Sequence, residues 1–98
     1  MYQILVVDDS VLDVDCITFL INKYELPLEV ATAVNGQEAL GLFQNPENHF
    51  DILFTDIKMP LMDGLELSRE TRRLSPDTRI IIFSGYNDFE YAKTAITI

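Results

Sequence analysis

Residues 4–10 read ILVVDDS, four apolar residues in succession followed by two aspartates and a serine. An unbroken apolar run of this length is typical of a strand that helices cover on both faces of a parallel sheet. Ser10 suits a helix N-cap, and Asp13 lies three residues further on. The stretch therefore predicts a central strand that ends in Asp8 and Asp9 and leads directly into a first helix.

The same unit, a short apolar run followed by a helical pattern, recurs along the chain and predicts a parallel sheet with helices on its faces. The second run mixes polar and apolar residues and so favours an edge strand. Asn35, the loop containing Pro60 and Gly64, and Asn87 or Asp88 mark the starts of the later helices. Strands are predicted at residues 4–7, 29–33, 52–55 and 79–83.

The first helix carries its apolar residues at helical spacing, and this spacing predicts which face packs inward. Cys16 is the single cysteine and has no partner for an internal disulfide, which fits a reducing cytoplasm. We expect its side chain to be buried in the core as a small hydrophobic group. The predicted inward residues are Leu12, Cys16, Ile17, Leu20 and Tyr24.

Length and composition limit the possible functions. The 98 residues suffice for one domain, residues 1–98, and 48% hydrophobic residues predict a packed core. A net charge of -9 would repel nucleic acid phosphates and anionic membranes, so we expect neither as a direct partner. No apolar run approaches the roughly 20 residues of a membrane-spanning helix, and we expect no export signal and a cytoplasmic location.

Polar side chains follow the strand ends, which is where open parallel sheets bind ligands. The first strand ends in Asp8 and Asp9, the third in Asp56 and the fourth in Ser84. If the chain passes outward to strand two and then returns, strands one and three become neighbours and bring the three carboxylates together. Each carboxylate taken singly is more simply explained as a helix cap or loop residue.

Three neighbouring carboxylates need a counter-charge, because a pair of unit charges about 4 Å apart repels by roughly 4 kcal/mol at an effective dielectric near 20. The candidate ligands are all oxygen donors, and no cysteine or histidine accompanies them, so Mg²⁺ is the best match. Such a site suits phosphoryl transfer, in which an aspartate acts as the nucleophile and becomes an acyl phosphate.

At this point the sequence resembles the receiver domains of two-component response regulators. The aspartate followed by MP and then DG is the most specific feature of the likeness. The matching strings occur in family order and at family spacing, and they span nearly the whole chain: ILVVDDS at 4–10, AVNGQEAL at 33–40, DILFTDIKMPLMDGLEL at 51–67 and IIIFSGYNDFEYAKTAI at 80–96.

The resemblance implies an α/β flavodoxin-like, doubly wound fold with strand order 2-1-3-4. It also implies that Asp56 accepts the phosphoryl group and that Asp8, Asp9, Asp56 and the backbone carbonyl of Lys58 hold Mg²⁺. Ser84 matches the hydroxyl residue that moves to contact the phosphoryl group. The implied role is that of a signalling domain rather than an enzyme, and the implied partners are a histidine kinase and an output domain.

The sequence departs from the family pattern at its carboxyl end. A complete receiver continues with a fifth strand, which ends in a lysine, and a fifth helix, so we expect this receiver domain to be incomplete. The predicted fourth strand would then have an open edge, which favours a homodimer or a domain swap. The stretch FSGYNDFEYAKTAI, residues 83–96, resembles receivers joined to AraC-type DNA-binding regions.

Two other functions are compatible with parts of the pattern. One is a receiver-like module that binds proteins without being phosphorylated, which the absent lysine would permit. The other is a phosphohydrolase of the haloacid dehalogenase type, which also uses a strand-end aspartate nucleophile. That class requires two aspartates separated by one residue after the first strand. Here the residue two positions after Asp8 is Ser10, so the requirement is not met.

Overall fold

A computed structural model describes residues 1–83, and the predicted fourth helix lies outside them. Strands and helices alternate along the described part of the chain, as the repeated unit in the sequence predicts. The elements are β1 (Tyr2–Val7), α1 (Val11–Lys23), β2 (Leu28–Ala33), α2 (Gly36–Gln44), β3 (Ile52–Asp56), α3 (Gly64–Leu74) and β4 (Arg79–Phe83).

The four strands form one parallel sheet in the order β2-β1-β3-β4. Val7, the last residue of β1, pairs with Ala33 on one side and with Thr55 on the other. The predicted strand order and the edge position of β2 are therefore confirmed. Because β1 and β3 are central neighbours, the residues that follow them lie at one edge of the sheet.

The main core lies between one face of the sheet and helices α2 and α3. Alternate residues of β1 point into it, as the two-residue period of a strand requires. Burial of each large aliphatic side chain contributes about 1.5–3 kcal/mol, so this cluster is what holds the strand order in place. Its buried members are Leu5, Val7, Ala33, Ala39, Phe50, Leu53 and Leu67.

Side-chain caps fix where the helices begin. The Ser10 hydroxyl oxygen accepts a hydrogen bond from the Asp13 N–H at 3.3 Å, and Asn35 Oδ1 accepts one from the Glu38 N–H at 2.8 Å. Asp63 caps α3 in the same way. The two caps predicted at Ser10 and Asn35 are confirmed, and α1 begins two residues after Asp9 as a result.

Helix α1 departs from the sequence prediction, because the face expected to point inward is largely exposed. Leu12 is 73% exposed, Leu20 48% and Tyr24 64%, and Cys16 is also exposed. The buried residue of this helix is Ile21. The expectation of a buried cysteine is therefore wrong.

The carboxyl-terminal strand of the described part has one strand neighbour there, β3. Phe83 and Phe54 stack across this pair with ring centroids 4.6 Å apart, whereas Ile81 is 46% exposed. Within residues 1–83 no helix combines the length and the apolar character that crossing a bilayer requires.

Candidate metal centre

The register of the sheet brings the predicted acidic residues together. Val7 pairs with Thr55, so the residues that follow, Asp8 and Asp56, lie side by side at the carboxyl edge of the two central strands. Asp9 comes next in the turn that leads to α1. Each of the three aspartates offers one carboxylate oxygen, and these oxygens lie within 4.8 Å of one another.

The three carboxylates differ in their exposure to solvent. Asp8 is buried at 1% exposure, Asp56 is half-buried and Asp9 is exposed. The cluster is thus open on the side of Asp9 and Asp56 and closed behind Asp8. A small ligand can reach Asp56 from solvent, whereas Asp8 lines the buried side of the cluster.

Only one of the two carboxylate oxygens of Asp8 accepts a hydrogen bond in the described part of the chain. Its Oδ1 accepts a hydrogen bond from the Ser10 N–H at 2.9 Å, while its buried Oδ2 has no hydrogen-bond partner in residues 1–83. Burial raises the pKa of Asp8 to about 6; the Ser10 hydrogen bond opposes this increase, and repulsion from Asp56, Asp13 and Asp9 adds to it. Ionisation of Asp8 is therefore unfavourable in the metal-free site.

The donor set fits a hard divalent cation. Three neighbouring carboxylates match the all-oxygen coordination of Mg²⁺, and Asp8 also has a buried oxygen, Oδ2, without a hydrogen-bond partner in the described part of the chain. A cation bound by this oxygen would give it the partner that it lacks. Asp8, Asp9 and Asp56 are the residues that would hold the ion.

The loop after Asp56 returns sharply against the strand that it leaves. The Gly64 N–H donates to the Ile57 carbonyl oxygen at 2.7 Å, and a Cβ on Gly64 would lie only 2.2 Å from the Asp56 carbonyl oxygen. Glycine is required at this contact because any side chain would displace the peptide of Asp56. Lys58 lies exposed within this return.

The tip of the same loop contains a strained residue. Leu61 has a φ of 73°, and the N–H of Met62 donates to the Pro60 carbonyl oxygen at 2.8 Å around it. This is a γ-turn with a left-handed central residue, a conformation that a side chain with a Cβ disfavours. Leu61 is nevertheless 73% exposed, so burial of its side chain does not compensate for the strain.

The predicted site residues divide into those that the structure brings together and one that it does not reach. Asp8, Asp9 and Asp56 meet. Lys58 follows in the loop after β3, and the role of its backbone carbonyl stays a prediction. Ser84 lies outside the described residues, so its role stays a prediction.

Sequence reasoning also missed a fourth carboxylate. Asp13, in the first turn of α1, contributes to the raised pKa of Asp8. Its position only five residues after Asp8 was the available signal for this effect.

Comparison with known proteins supports the predicted family and fold independently of the site geometry. Residues 4–98 match the model of the response regulator receiver domain family. The uncharacterized transcriptional regulatory protein YesN of Bacillus subtilis is 39% identical over 97 residues, which are 98% of this chain and 26% of that protein. The chain thus spans about a quarter of this curated relative.

Solved structures agree with the sequence matches. The structure of a response regulator receiver domain protein from Clostridium thermocellum superposes with a TM-score of 0.86 at 33% identity, covering 99% of this chain and 75% of that one. A two-component transcriptional regulator AraC from Clostridium phytofermentans gives a TM-score of 0.83 at 37% identity, covering 100% of this chain and 75% of that one. The flavodoxin-like arrangement of the sheet, the acidic edge and these matches together show that the chain belongs to the response regulator receiver domain family.

Proposed function

We propose that this receiver domain accepts a phosphoryl group on Asp56 in a Mg²⁺-dependent reaction and passes the resulting change to an output domain. The observation that carries the proposal is the convergence of three carboxylate oxygens within 4.8 Å at the carboxyl edge of the two central strands. The role is that of a signalling acceptor and not of an enzyme that turns over a substrate.

Asp56 is the best nucleophile of the three by its position. Asp8 is 1% exposed, and its Oδ1 accepts the Ser10 N–H, so its carboxylate is much less accessible to an incoming donor than that of Asp56. Asp56 is half-buried at the end of the central strand β3, where a donor can reach it from solvent. Asp9, exposed at the start of a turn, is better suited to hold the cation.

The reaction that fits is an in-line displacement. A carboxylate oxygen of Asp56 forms a bond to phosphorus, the P–N bond of a phosphohistidine breaks, and the imidazole leaves with the bonding electron pair and takes up a proton. Bound Mg²⁺ supplies charge neutralisation for the phosphoryl oxygens. The backbone carbonyl of Lys58 is proposed as a further ligand, and Ser84 as the hydroxyl that responds to the acyl phosphate.

The partners belong to the same proposal. A histidine kinase is the donor that the chemistry requires, in a cytoplasmic setting. The Clostridium phytofermentans neighbour is described as a two-component transcriptional regulator AraC, which supports an output domain that binds DNA.

Self-association through the outer edge of β4 also stays a prediction, and light scattering that finds only monomer at high concentration would argue against it.

The experiment that tests the function uses a small phosphodonor in place of the kinase. The chain is incubated with acetyl phosphate and MgCl₂, and intact mass spectrometry follows the gain of one phosphoryl group. We expect uptake by the wild-type chain, no uptake by Asp56→Asn and unchanged uptake by Asp77→Asn, which alters an exposed carboxylate between α3 and β4.

Two controls separate the possible failures. Hydroxylamine should remove the added group, because an acyl phosphate is cleaved by this nucleophile and a phosphoserine is not. EDTA should suppress uptake. If Asp56→Asn takes up the phosphoryl group as well as the wild-type chain, the assignment of the acceptor is wrong. A wild-type chain that binds proteins but never gains the group would favour the phosphorylation-independent module.

A further inference from the structure

Gly36 opens α2 and is buried where that helix meets the loop after Asp56. A Cβ built on Gly36 would lie 2.8 Å from both the Cβ and the Cγ of Met62, and 3.0 Å from the Met62 carbonyl oxygen. Carbon atoms in van der Waals contact are about 3.5–4.0 Å apart. A side chain at position 36 would therefore have to move Met62 together with its backbone.

Helix α2 cannot absorb this displacement easily. Its start is fixed by the hydrogen bond from the Glu38 N–H to Asn35 Oδ1, at 2.8 Å. One turn further on, Ala39 is fully buried in the core against the sheet. The loop, which contains the strained Leu61 and an exposed Lys58, is the softer of the two partners.

On its side away from α2, the loop after Asp56 is held against the end of β3. Gly64 lies against the peptide of Asp56, and its N–H donates to the Ile57 carbonyl oxygen at 2.7 Å. Residues 57–64 are thus held between the backbone of Asp56 and the first turn of α2. A push from position 36 would be transmitted to the segment that carries the Lys58 carbonyl.

We propose that Gly36 is a positioning residue for the acidic site, because its missing side chain lets α2 contact Met62 and so fixes the loop that carries Lys58. This inference rests on the proposed function, since it assumes that the site binds Mg²⁺. Gly36 itself contacts neither the cation nor the phosphoryl group. It acts through Met62.

The test compares two glycine-to-alanine changes in the same helix. Gly36→Ala should weaken Mg²⁺ binding about tenfold, the lower end of what loss of a supporting contact costs a metal site. Gly41→Ala is the matched control, because a Cβ on Gly41 has no atom within 4 Å. Isothermal titration calorimetry with MgCl₂ gives both dissociation constants, and urea unfolding in EDTA gives the stability of each variant.

A second measurement needs no metal. In EDTA, the amide NMR signals of Met62 and Gly64 report the two hydrogen bonds that close the loop, at 2.8 and 2.7 Å. Gly36→Ala should shift both signals, and Gly41→Ala should shift neither. A purely structural role for Gly36 would lower stability without this selective change and without the change in Mg²⁺ affinity.

Removing the Met62 side chain should reduce the effect to what the approach to the Met62 carbonyl oxygen, at 3.0 Å, still causes. In a Met62→Gly background, which lacks both clashing carbons, Gly36→Ala should change Mg²⁺ affinity much less than it does in the wild-type background. If Gly36→Ala alone does not fold, the Met62→Gly background still tests the inference, because Gly36→Ala should fold there, and failure to fold in both backgrounds would overturn the role of Met62. Equal Mg²⁺ affinity of Gly36→Ala and wild type would overturn the inference. A wild-type chain that fails to bind Mg²⁺ at all would overturn the proposed function instead, and the amide signals would then decide the positioning role separately.

Discussion

Two aspartates mark the ends of β3, and their surroundings differ: Asp51 directly precedes the strand, and Asp56 is its last residue. At the amino end, Asp51 Oδ2 accepts the Gln3 N–H at 2.8 Å, Oδ1 lies 3.3 Å from His49 Nε2, and the backbone carbonyl accepts the Arg79 N–H at 2.9 Å. At the carboxyl end, Asp56 lies beside a buried Asp8 whose Oδ2 has no hydrogen-bond partner within residues 1–83.

The difference separates a structural edge, which hydrogen bonds of Asp51 hold together, from the edge that we propose to be the functional edge. Asp51 joins the starts of β1, β3 and β4, and Thr78 adds a further link by donating to the Phe50 carbonyl oxygen at 2.8 Å. At the opposite edge, burial and the neighbouring carboxylates raise the pKa of Asp8. Asp51 thus stabilises the sheet at one end, whereas ionisation of Asp8 in the metal-free protein opposes folding at the other.

The largest expected effect follows from replacing Asp8. The pKa of Asp8 rises from 3.8 in the unfolded chain to about 6 in the folded one, so ionisation at neutral pH opposes folding. Asp8→Asn should therefore raise the free energy of unfolding of the metal-free protein by up to about 3 kcal/mol at pH 7. Urea unfolding in EDTA measures the change, and Asp77→Asn provides an exposed control.

The pH dependence has a definite sign. Between about pH 4 and pH 6 the folded state binds more protons at Asp8 than the unfolded state does, so the free energy of unfolding falls as the pH rises through this window. Asp8→Asn should remove that fall. Mg²⁺ at a hundredfold excess over its dissociation constant should stabilise the wild-type chain by about 2.7 kcal/mol and the variant much less. If metal-free Asp8→Asn has a lower free energy of unfolding than the wild-type chain, ionised Asp8 does not oppose folding and the contrast between the two edges is wrong.

A smaller effect of opposite sign is expected at the structural edge. Asp51→Ala leaves the part-buried N–H of Gln3 without its acceptor, which should lower the free energy of unfolding by about 2 kcal/mol. Phosphoryl uptake by the folded fraction should persist, because the acidic site lies at the other end of the strand. Urea unfolding and the mass-spectrometric assay measure the two quantities on one sample. Lost uptake in a folded variant would show that the two edges are coupled.

The smallest effect concerns strain beside the functional edge. Leu61 adopts a φ of 73°, and asparagine occurs at positive φ more often than leucine does. Leu61→Asn should stabilise the protein by about 1 kcal/mol, since little apolar burial is lost from a side chain that is 73% exposed. Glu25→Asn is the matched change at the second non-glycine residue of the described part with a positive φ, which is 52°. Thermal unfolding of both variants compares the two positions.

The sheet and its acidic edge could be predicted because both depend on local patterns. Apolar runs gave the strands, and aspartates that directly follow two of those runs had to meet once the strand order was known. The inward face of α1 could not be predicted in this way. Its sequence, VLDVDCITFLINK, is apolar around most of the helix, so spacing alone did not distinguish Ile21 from Leu20.

The contacts that shape the loop after Asp56 were also beyond sequence reasoning. Gly36 and Met62 are 26 positions apart, and only the packed structure shows that a Cβ at the first would meet the second. The left-handed conformation of Leu61 has no local signal, because leucine is not a residue that favours it. These features arise from tertiary packing.

The exposed thiol of Cys16 has a practical consequence for any measurement of oligomeric state. It is the single cysteine of the chain, so air oxidation can join two molecules through one intermolecular disulfide. Such a cross-linked pair would scatter light just as a pair joined at β4 does. Samples kept in reducing agent, or a Cys16→Ser chain, would distinguish an artefact of handling from a genuine dimer.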